Sequence, residues 1–154
     1  MKERKMNNKG FSLVELIIVI AIMAILIVVL APQYLKYVER SRNSTDLQNA
    51  TELKTAIETY VADPESKETM AKDDTVVLTI SSNADGDVSG TGNGENVGTA
   101  ALNSAGLTIA DIKCSSKTKW NTYTITGTMQ ENGAIKWTYS PSAFSDAMNG
   151  KSGS

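Results

Sequence analysis

The hydrophobic and polar positions of this chain follow three successive patterns. Residues 11–31 are apolar except for Ser12 and Glu15, and residues 33–62 carry a sparser apolar stripe whose later positions are spaced as in a helix. Beyond residue 74, short segments alternate between apolar and polar residues, as strands do. These patterns predict an α+β fold, in which a long N-terminal α-helix over about residues 12–62 packs on a small antiparallel β-sheet.

The apolar half of this helix is long enough to anchor the chain in a membrane. At about 1.5 Å per residue, segment 11–31 extends roughly 31 Å, which matches the hydrocarbon core of a bilayer. Its fifteen Phe, Leu, Ile and Val residues each favour insertion by roughly 0.3–0.6 kcal/mol at mid-helix, whereas Glu15 opposes it by about 3 kcal/mol at most. The segment is therefore expected to insert despite this carboxylate.

A cleaved secretory signal peptide is the simple alternative for the same segment. The apolar run exceeds the usual length of about 7–15 residues, and Pro32 directly follows the candidate cleavage sequence "VLA". Removal would also leave Glu15 without a purpose. Both features favour a retained anchor.

Charge is distributed unevenly along the chain. The first ten residues contain Lys2, Arg4, Lys5 and Lys9 against Glu3, whereas the remainder holds 11 basic and 16 acidic side chains. The positive-inside rule then places the N-terminus in the cytoplasm and everything after the anchor outside. An acidic remainder argues against nucleic acid as a partner, because phosphate contacts need Lys and Arg.

The N-terminal string "KGFSLVELIIVIAIMAILIVVLAPQYLKY" resembles that of type IV prepilins and their relatives in type II secretion and competence systems. The resemblance covers residues 1 to about 40. It implies that a prepilin peptidase cuts between Gly10 and Phe11 and N-methylates the new Phe11 amine. It also implies that Glu15 pairs with the amino terminus of a neighbouring subunit during assembly.

The resemblance divides the chain into four parts and implies their roles. Residues 1–10 form a leader that is removed, residues 11–31 a transmembrane and filament-core helix, and residues 32–62 its amphipathic continuation. Residues 63–154 form a globular head, so that the whole is a pilin roll. The subunit is expected in the cytoplasmic membrane before assembly and in an extracellular pilus afterwards. Its implied partners are membrane lipid, other copies of itself, the peptidase, and an assembly platform with its ATPase.

Glu15 and Pro32 each allow a physical argument beside the resemblance. An ionisable group inside a membrane is by default functional and paired, and losing its partner costs about 3–5 kcal/mol. Such a pair would fix the axial register between neighbouring helices. Pro32 lacks an N–H and clashes with the carbonyl of Val28, so it kinks a helix that continues or ends the span. Because the helical pattern resumes immediately, we favour the kink.

Asp63-Pro64 predicts the end of the long helix, and "TVVLTI" (residues 75–80) predicts a strand. Two alternating segments on either side of "ENG" predict a β-hairpin. A loop of three residues, 131–133, sets Met129 opposite Ile135 and Ile125 opposite Tyr139, with every apolar side chain on one face. That face is expected to pack on the helix stripe around Leu53, Ile57 and Val61.

The remaining segments give weaker predictions. Residues 81–99 contain five glycines and several Asn and Asp, which predicts a loop. Asp85, Asp87 and Glu95 suggest calcium, but Val88 occupies the position where an EF-hand needs Gly, so we favour a loop without metal. Residues 99–112 predict a short helix followed by an extended segment, and the polar residues 145–154 predict a frayed end.

The composition offers little for catalysis. The chain has no His and one cysteine, Cys114, so a His-based triad and an intrachain disulfide are excluded. We expect no enzyme activity, cofactor or metal, a buried or inert Cys114 thiol, and packing roles for Trp120 and Trp137. Gram-negative pilins usually close a C-terminal loop with a disulfide, so the lone cysteine favours a pilin of the Gram-positive kind.

The leading hypothesis is therefore a structural subunit, the major pilin of a type IV pilus that serves adhesion, motility or biofilm formation. Within the same family, a pseudopilin or a minor or competence pilin is the alternative. From another class, the alternative is a membrane-anchored extracellular binding module that does not polymerise. Glu15 argues against such a module, because a mere anchor gains nothing from a carboxylate at that depth.

Overall fold

The computed structural model describes residues 10–151, and the predictions for residues 1–9 lie outside this range. The first element, α1, is a single α-helix over Leu13–Ala62, which confirms the predicted helix to within one residue. The chain divides after Val38 into two compact units. We call the part from Glu39 onward the head unit.

The N-terminal unit consists of the first half of α1. Its large apolar side chains are all exposed, from Phe11 through Leu35, because no described residue packs against them. Pro32 lies inside the helix rather than at its end. The helix therefore continues past Pro32, and both a kink at Pro32 and the end of the membrane span there stay predictions.

The head unit is built on a four-stranded antiparallel sheet. Its strands are β1 (Thr75–Ser81), β2 (Asp87–Thr91), β3 (Thr122–Met129) and β4 (Ile135–Ser140), in the spatial order β2-β1-β3-β4. Two further α-helices, α2 (Gly94–Ser104) and α3 (Ser142–Met148), and a short 3-10 helix over Ile109–Asp111 complete the unit. The predicted α+β class, with a long N-terminal helix on a small antiparallel sheet, is confirmed.

The core lies between the second half of α1 and one face of the sheet. Ala50, Leu53 and Ile57 of α1 are fully buried against the inward-facing residues of β1 and β3. Their spacing of three and then four residues places them on one side of the helix, as an amphipathic helix requires. The outward positions of β3 are threonines, which suit a strand with one solvated face.

The C-terminal hairpin has the predicted register. Met129 pairs with Ile135 and Ile125 with Tyr139. The loop is closed by Gln130 N–H donating to the Ala134 carbonyl at 2.8 Å, and Gly133 adopts φ +80°. A left-handed residue at this position of a three-residue loop strongly favours glycine, so the sequence specified both the loop length and the register.

The prediction that residues 81–99 form a loop was wrong. They contain β2 and the start of α2, so the predicted short helix begins at Gly94 rather than near Thr99. Gly94 and Gly98 permit close packing rather than turns. A Cβ at Gly94 would collide with the Thr75 carbonyl, and one at Gly98 would lie 2.7 Å from a Val76 methyl. Glycine therefore lets α2 lie directly on β1.

The predicted frayed C-terminus was also wrong in part. Residues 142–148 form α3, and its Phe144 is fully buried. The Phe144 ring stacks on Tyr123 with a centroid distance of 4.3 Å and meets Trp120 edge-on at 5.2 Å. One aromatic residue in a polar segment thus anchors the helix, because a buried ring contributes a large apolar area. Residues 152–154 lie outside the described range.

Replacing Gly94 by alanine should destabilise the head unit, although alanine favours helices by about 1 kcal/mol over glycine. The new Cβ would push α2 away from Thr75, and such overpacking typically costs about 1–3 kcal/mol. Thermal unfolding of the full chain in detergent micelles, followed by tryptophan fluorescence, measures this. Thr99→Ala, at an exposed position of the same helix, is the control and should change stability little. A Gly94→Ala variant as stable as wild type would contradict this packing role.

Candidate functional site

The predicted cleavage site lies just before the first turn of α1. Gly10 precedes the helix, and a Cβ placed on it would meet nothing within 4 Å. The side chain of Phe11 is 89% exposed. The Gly10–Phe11 peptide bond is therefore outside regular secondary structure, where a protease can bind the backbone in an extended form.

Glu15 lies in the first turn of α1 and is already hydrogen-bonded. Its Oε2 accepts the Ser12 N–H at 3.0 Å, and its own N–H donates to Ser12 Oγ at 3.3 Å. This reciprocal pair is a capping box, which satisfies amide groups that a helix start leaves unpaired. The carboxylate also interacts favourably with the positive end of the helix dipole. The capping role of Ser12 was not predicted from the sequence, although the Ser-x-x-Glu spacing is typical of a capping box.

The helix that follows is suited to a lipid environment. Among the described residues, α1 is the helix long and apolar enough to cross a membrane, with a mean hydropathy of 3.4 over its most apolar window. No residue of that window is buried within the protein. An apolar surface this large on a soluble monomer marks a membrane or protein contact.

A second set of functional groups, missed from the sequence, lies in the head unit around Asp46. Asp46 is fully buried on α1. Its Oδ1 accepts the Ser115 N–H at 2.7 Å, and its Oδ2 accepts the Ser116 N–H at 2.9 Å and Trp120 Nε1–H at 2.8 Å. A buried carboxylate is strongly unfavourable unless such donors replace water. Asp46 therefore fixes the 115–119 loop to the helix.

Cys114 belongs to the same cluster, and its thiol donates to Asp46 Oδ2 at 3.4 Å. Burial, and then the charge of Asp46, raises the pKa of the Cys114 thiol to about 12. A thiol that stays protonated is a poor nucleophile and metal ligand. The predicted buried Cys114 is confirmed, and so are the packing roles of Trp120 and Trp137, whose rings belong to the core or lie against it.

Glu39 holds the same loop from one heptad earlier on α1. Its Oε1 accepts hydrogen bonds from the Lys117 N–H at 2.8 Å, the Thr118 N–H at 2.9 Å and the Ser116 hydroxyl at 2.9 Å. Burial raises the pKa of Glu39, but these hydrogen bonds outweigh burial and lower the pKa to about 2. We call Glu39, Asp46 and the 115–119 loop the carboxylate clamp.

The acidic residues considered for calcium are not arranged as a metal site. Lys113 Nζ donates to Asp85 at 2.5 Å, and this ion pair lowers the pKa of Asp85. Within residues 10–151, no group of three or more acidic, Cys or His side chains is arranged to hold a metal ion. The geometry around Asp46 and Glu39 can orient and stabilise a loop, whereas that around Gly10 and Glu15 can present a peptide bond and a carboxylate.

Comparisons with known proteins agree with the N-terminal geometry. A family model described as the prokaryotic N-terminal methylation motif matches residues 5–31. The type IV major fimbrial protein FimA of Dichelobacter nodosus is 34% identical over 146 residues, which cover 90% of this chain and 86% of that protein. The resemblance that the N-terminal string suggested is thereby confirmed.

Other relatives match over shorter segments. A fimbrial protein of Pseudomonas aeruginosa is 41% identical over 54 residues, 35% of each chain. The prepilin peptidase-dependent protein A of Clostridium perfringens is 37% identical over 62 residues, which cover 40% of this chain and 44% of that protein. A search of solved structures finds no significant match.

Replacing Asp46 by asparagine should destabilise the head unit by about 3 kcal/mol. In either orientation, the new amide group would face at least one N–H donor of the loop or of Trp120 and leave it without an acceptor. At about 4–8 °C per kcal/mol for a small domain, the unfolding temperature should fall by more than 10 °C. Asp111→Asn, which changes an exposed carboxylate in the same way, is the control. Equal unfolding temperatures for the two variants would show that Asp46 does not hold the loop.

The Glu39 contribution should depend on pH. Because its pKa is lowered from 4.5 to about 2 in the folded chain, its stabilisation is present above pH 4.5 and is lost as the pH falls towards 2. At pH 7, Glu39→Gln should lower stability by about 1–3 kcal/mol, as expected for hydrogen bonds to a charged group. The difference between wild type and variant should shrink when the same unfolding measurement is repeated from pH 5 down to pH 2. A difference that is constant over this range would contradict the prediction.

Proposed function

Because this chain belongs to the type IV pilins, the structural subunits of type IV fimbriae, we propose that it is the major pilin of a surface filament. In this proposal the chain is cleaved after Gly10, stored in the membrane through residues 11–31, and polymerised through its N-terminal helix. The observation that carries the proposal is Glu15, a carboxylate in the first turn of a helix whose first half is otherwise apolar and exposed.

Processing between Gly10 and Phe11 is supported by the exposure of this peptide bond. Gly10 has no side chain and no described neighbour near its Cβ position, so a peptidase can approach its backbone closely. The matched methylation motif spans the same position. Cleavage there makes Phe11 the new amino terminus, which the peptidase then methylates.

Membrane storage is supported by the exposed apolar half of α1 and by the charges before it. Lys2, Arg4, Lys5 and Lys9 precede the helix, and basic residues are retained on the cytoplasmic side. The chain would then cross the cytoplasmic membrane once, with the head outside. Removal of the leader takes these charges away and leaves a helix start with one carboxylate.

In the assembled filament, the Glu15 carboxylate would face the Phe11 amine of a neighbouring copy. Its Oε2 is occupied by the Ser12 N–H, whereas no described residue donates to Oε1. The carboxylate can thus keep its capping box in the membrane and accept a second, charged donor on assembly. Since a desolvated carboxylate strongly favours the register that supplies a cation, this pair would fix the axial position of each subunit.

Assembly of such helices requires energy from outside the subunit. A helix that leaves lipid for a bundle exchanges one apolar environment for another, so the hydrophobic gain is small. An assembly platform driven by an ATPase would supply this energy as a partner of the chain. A kink at Pro32 would let the helix adapt to its neighbours, because proline removes one backbone hydrogen bond.

Glu15→Gln tests the proposal with the least structural change. Glutamine can keep the capping box with Ser12, so the variant should still fold, be cleaved and remain in the membrane. It lacks the charge, so the yield of sheared filaments should fall at least tenfold, as the loss of more than 1.4 kcal/mol per contact implies. The measurement is microscopy and quantitative immunoblotting of sheared filaments from the bacterium that produces the protein.

Glu95→Gln, at an exposed position of the head unit, is the matched control and should give filaments at the wild-type level. Glu15→Gln filaments at that level would refute the role of the charge. A wild-type strain without filaments containing this chain would refute the proposed function itself.

A further inference from the structure

The head unit carries an open groove that its own residues do not fill. It lies between the second half of α1 and helix α2 and has a volume of about 1210 Å³. Helix α2 packs closely on β1 and β2, and the groove lies between it and α1. The volume exceeds the range of about 300–1,000 Å³ that is usual for small-molecule sites, and the groove is open to solvent, which favours a macromolecular occupant.

The walls of the groove are less polar than their sequence indicates. Thr51 and Thr55 line it, but their hydroxyls donate to the carbonyls of Leu47 and Thr51 within α1, both at 2.8 Å. These side chains therefore present methyl groups to the groove. Together with Ala100 and Leu107 on the opposite side, they form an apolar floor.

The rim of the groove is acidic. Glu52, Asp63 and Glu65 lie along it with a single cation, Lys67, and all four residues are exposed. Within the described residues, none of the three carboxylates forms an ion pair. An occupant that complements this groove would carry Lys or Arg side chains. Their methylene groups would cover the apolar floor while their charges reach the acidic rim.

The 115–119 loop of the carboxylate clamp carries two cations on aliphatic side chains. Lys117 and Lys119 are exposed and form no ion pair among the described residues. Their loop is already fixed through its backbone, by the Lys117 and Thr118 N–H groups on Glu39 Oε1. A loop ordered before binding loses less conformational entropy on binding, which strengthens the contact.

The loop and the groove lie on different sides of the head unit. At about 100° per residue, Thr55 in the groove is rotated by about half a turn around α1 from Asp46, which holds the loop. None of residues 115–119 lines the groove of its own copy. A contact between two different surfaces is heterologous, and when its rotation does not close a ring it produces an open helical filament.

We propose that the 115–119 loop of one copy inserts Lys117 and Lys119 into the acidic groove between α1 and α2 of the next copy. The inference rests on the proposed function, since it needs a filament of this chain. The contact joins head units, and the copy that supplies the loop is displaced along α1 by about 24 Å, the rise between Glu39 and Thr55.

A charge-reversal experiment on the full chain in its own bacterium tests this contact. Lys117→Glu with Lys119→Glu should lower the yield of sheared filaments at least tenfold, and Glu52→Lys with Asp63→Lys and Glu65→Lys should do the same. Combining all five changes should restore at least half of the wild-type yield. Lys136→Glu with Lys151→Glu, which alters the net charge equally at exposed positions, should leave the yield unchanged.

A cysteine pair tests the geometry without reversing charge. Ala105→Cys in the groove with Lys119→Cys in the loop, in oxidised filaments, should give a ladder of multimers on a non-reducing gel. Each single variant should give monomers, because Cys114 is buried.

Wild-type filament yields from the Lys117→Glu, Lys119→Glu variant would overturn the contact while leaving the proposed function intact, and so would intact filaments of the cysteine pair without a ladder. In either case another partner or nothing fills the groove. Dimers without higher multimers would also overturn it, since they indicate a closed contact between two copies. Absence of wild-type filaments would refute the proposed function instead.

Discussion

The head unit depends on one buried carboxylate. Asp46 lies on the core-facing side of α1, without solvent exposure, and four donors from residues 114–120 converge on it. Because water cannot reach the charge, the loop must supply its hydrogen bonds, and this requirement fixes the path of the chain into β3. Trp120 donates its Nε1–H to Asp46 Oδ2 and packs edge-on against the ring of Phe144. Helix α1, the loop, the start of β3 and helix α3 therefore meet at this point.

The same carboxylates connect the interior to the proposed assembly surface. Glu39 and Asp46 take up the backbone N–H groups of the 115–119 loop, so its lysine side chains are left for other contacts. In the N-terminal unit, Ser12 and Glu15 work in a similar way, because one oxygen of Glu15 completes the helix start and the other is available to a neighbour. In both places an acid stabilises its own chain, and in our proposals it also prepares a contact between copies.

The spacing of apolar residues along the chain predicted the long helix and the C-terminal hairpin correctly. The end of α1 followed from Asp63-Pro64. The hairpin register and the three-residue loop followed from apolar spacing and one glycine, because a shift of one residue would turn the apolar face of a strand outward. The β2 and α2 elements were missed because Gly94 and Gly98 have a tertiary purpose, the close contact with β1, that local sequence cannot show. Asp46 was missed because an acid on an amphipathic helix is normally solvated. Its position, four residues before Ala50 and seven before Leu53, was the signal that it faces the core.

The central claim is that the apolar half of α1 stays in the mature subunit and begins at Phe11, four residues before the carboxylate that sets its register. Intact-mass and N-terminal analysis of the subunit from sheared filaments tests this most directly. The account predicts a chain that lacks residues 1–10 and begins with Phe11 carrying one methyl group on its amine. A filament subunit that retains Gly10, or one that begins after residue 31, would contradict it.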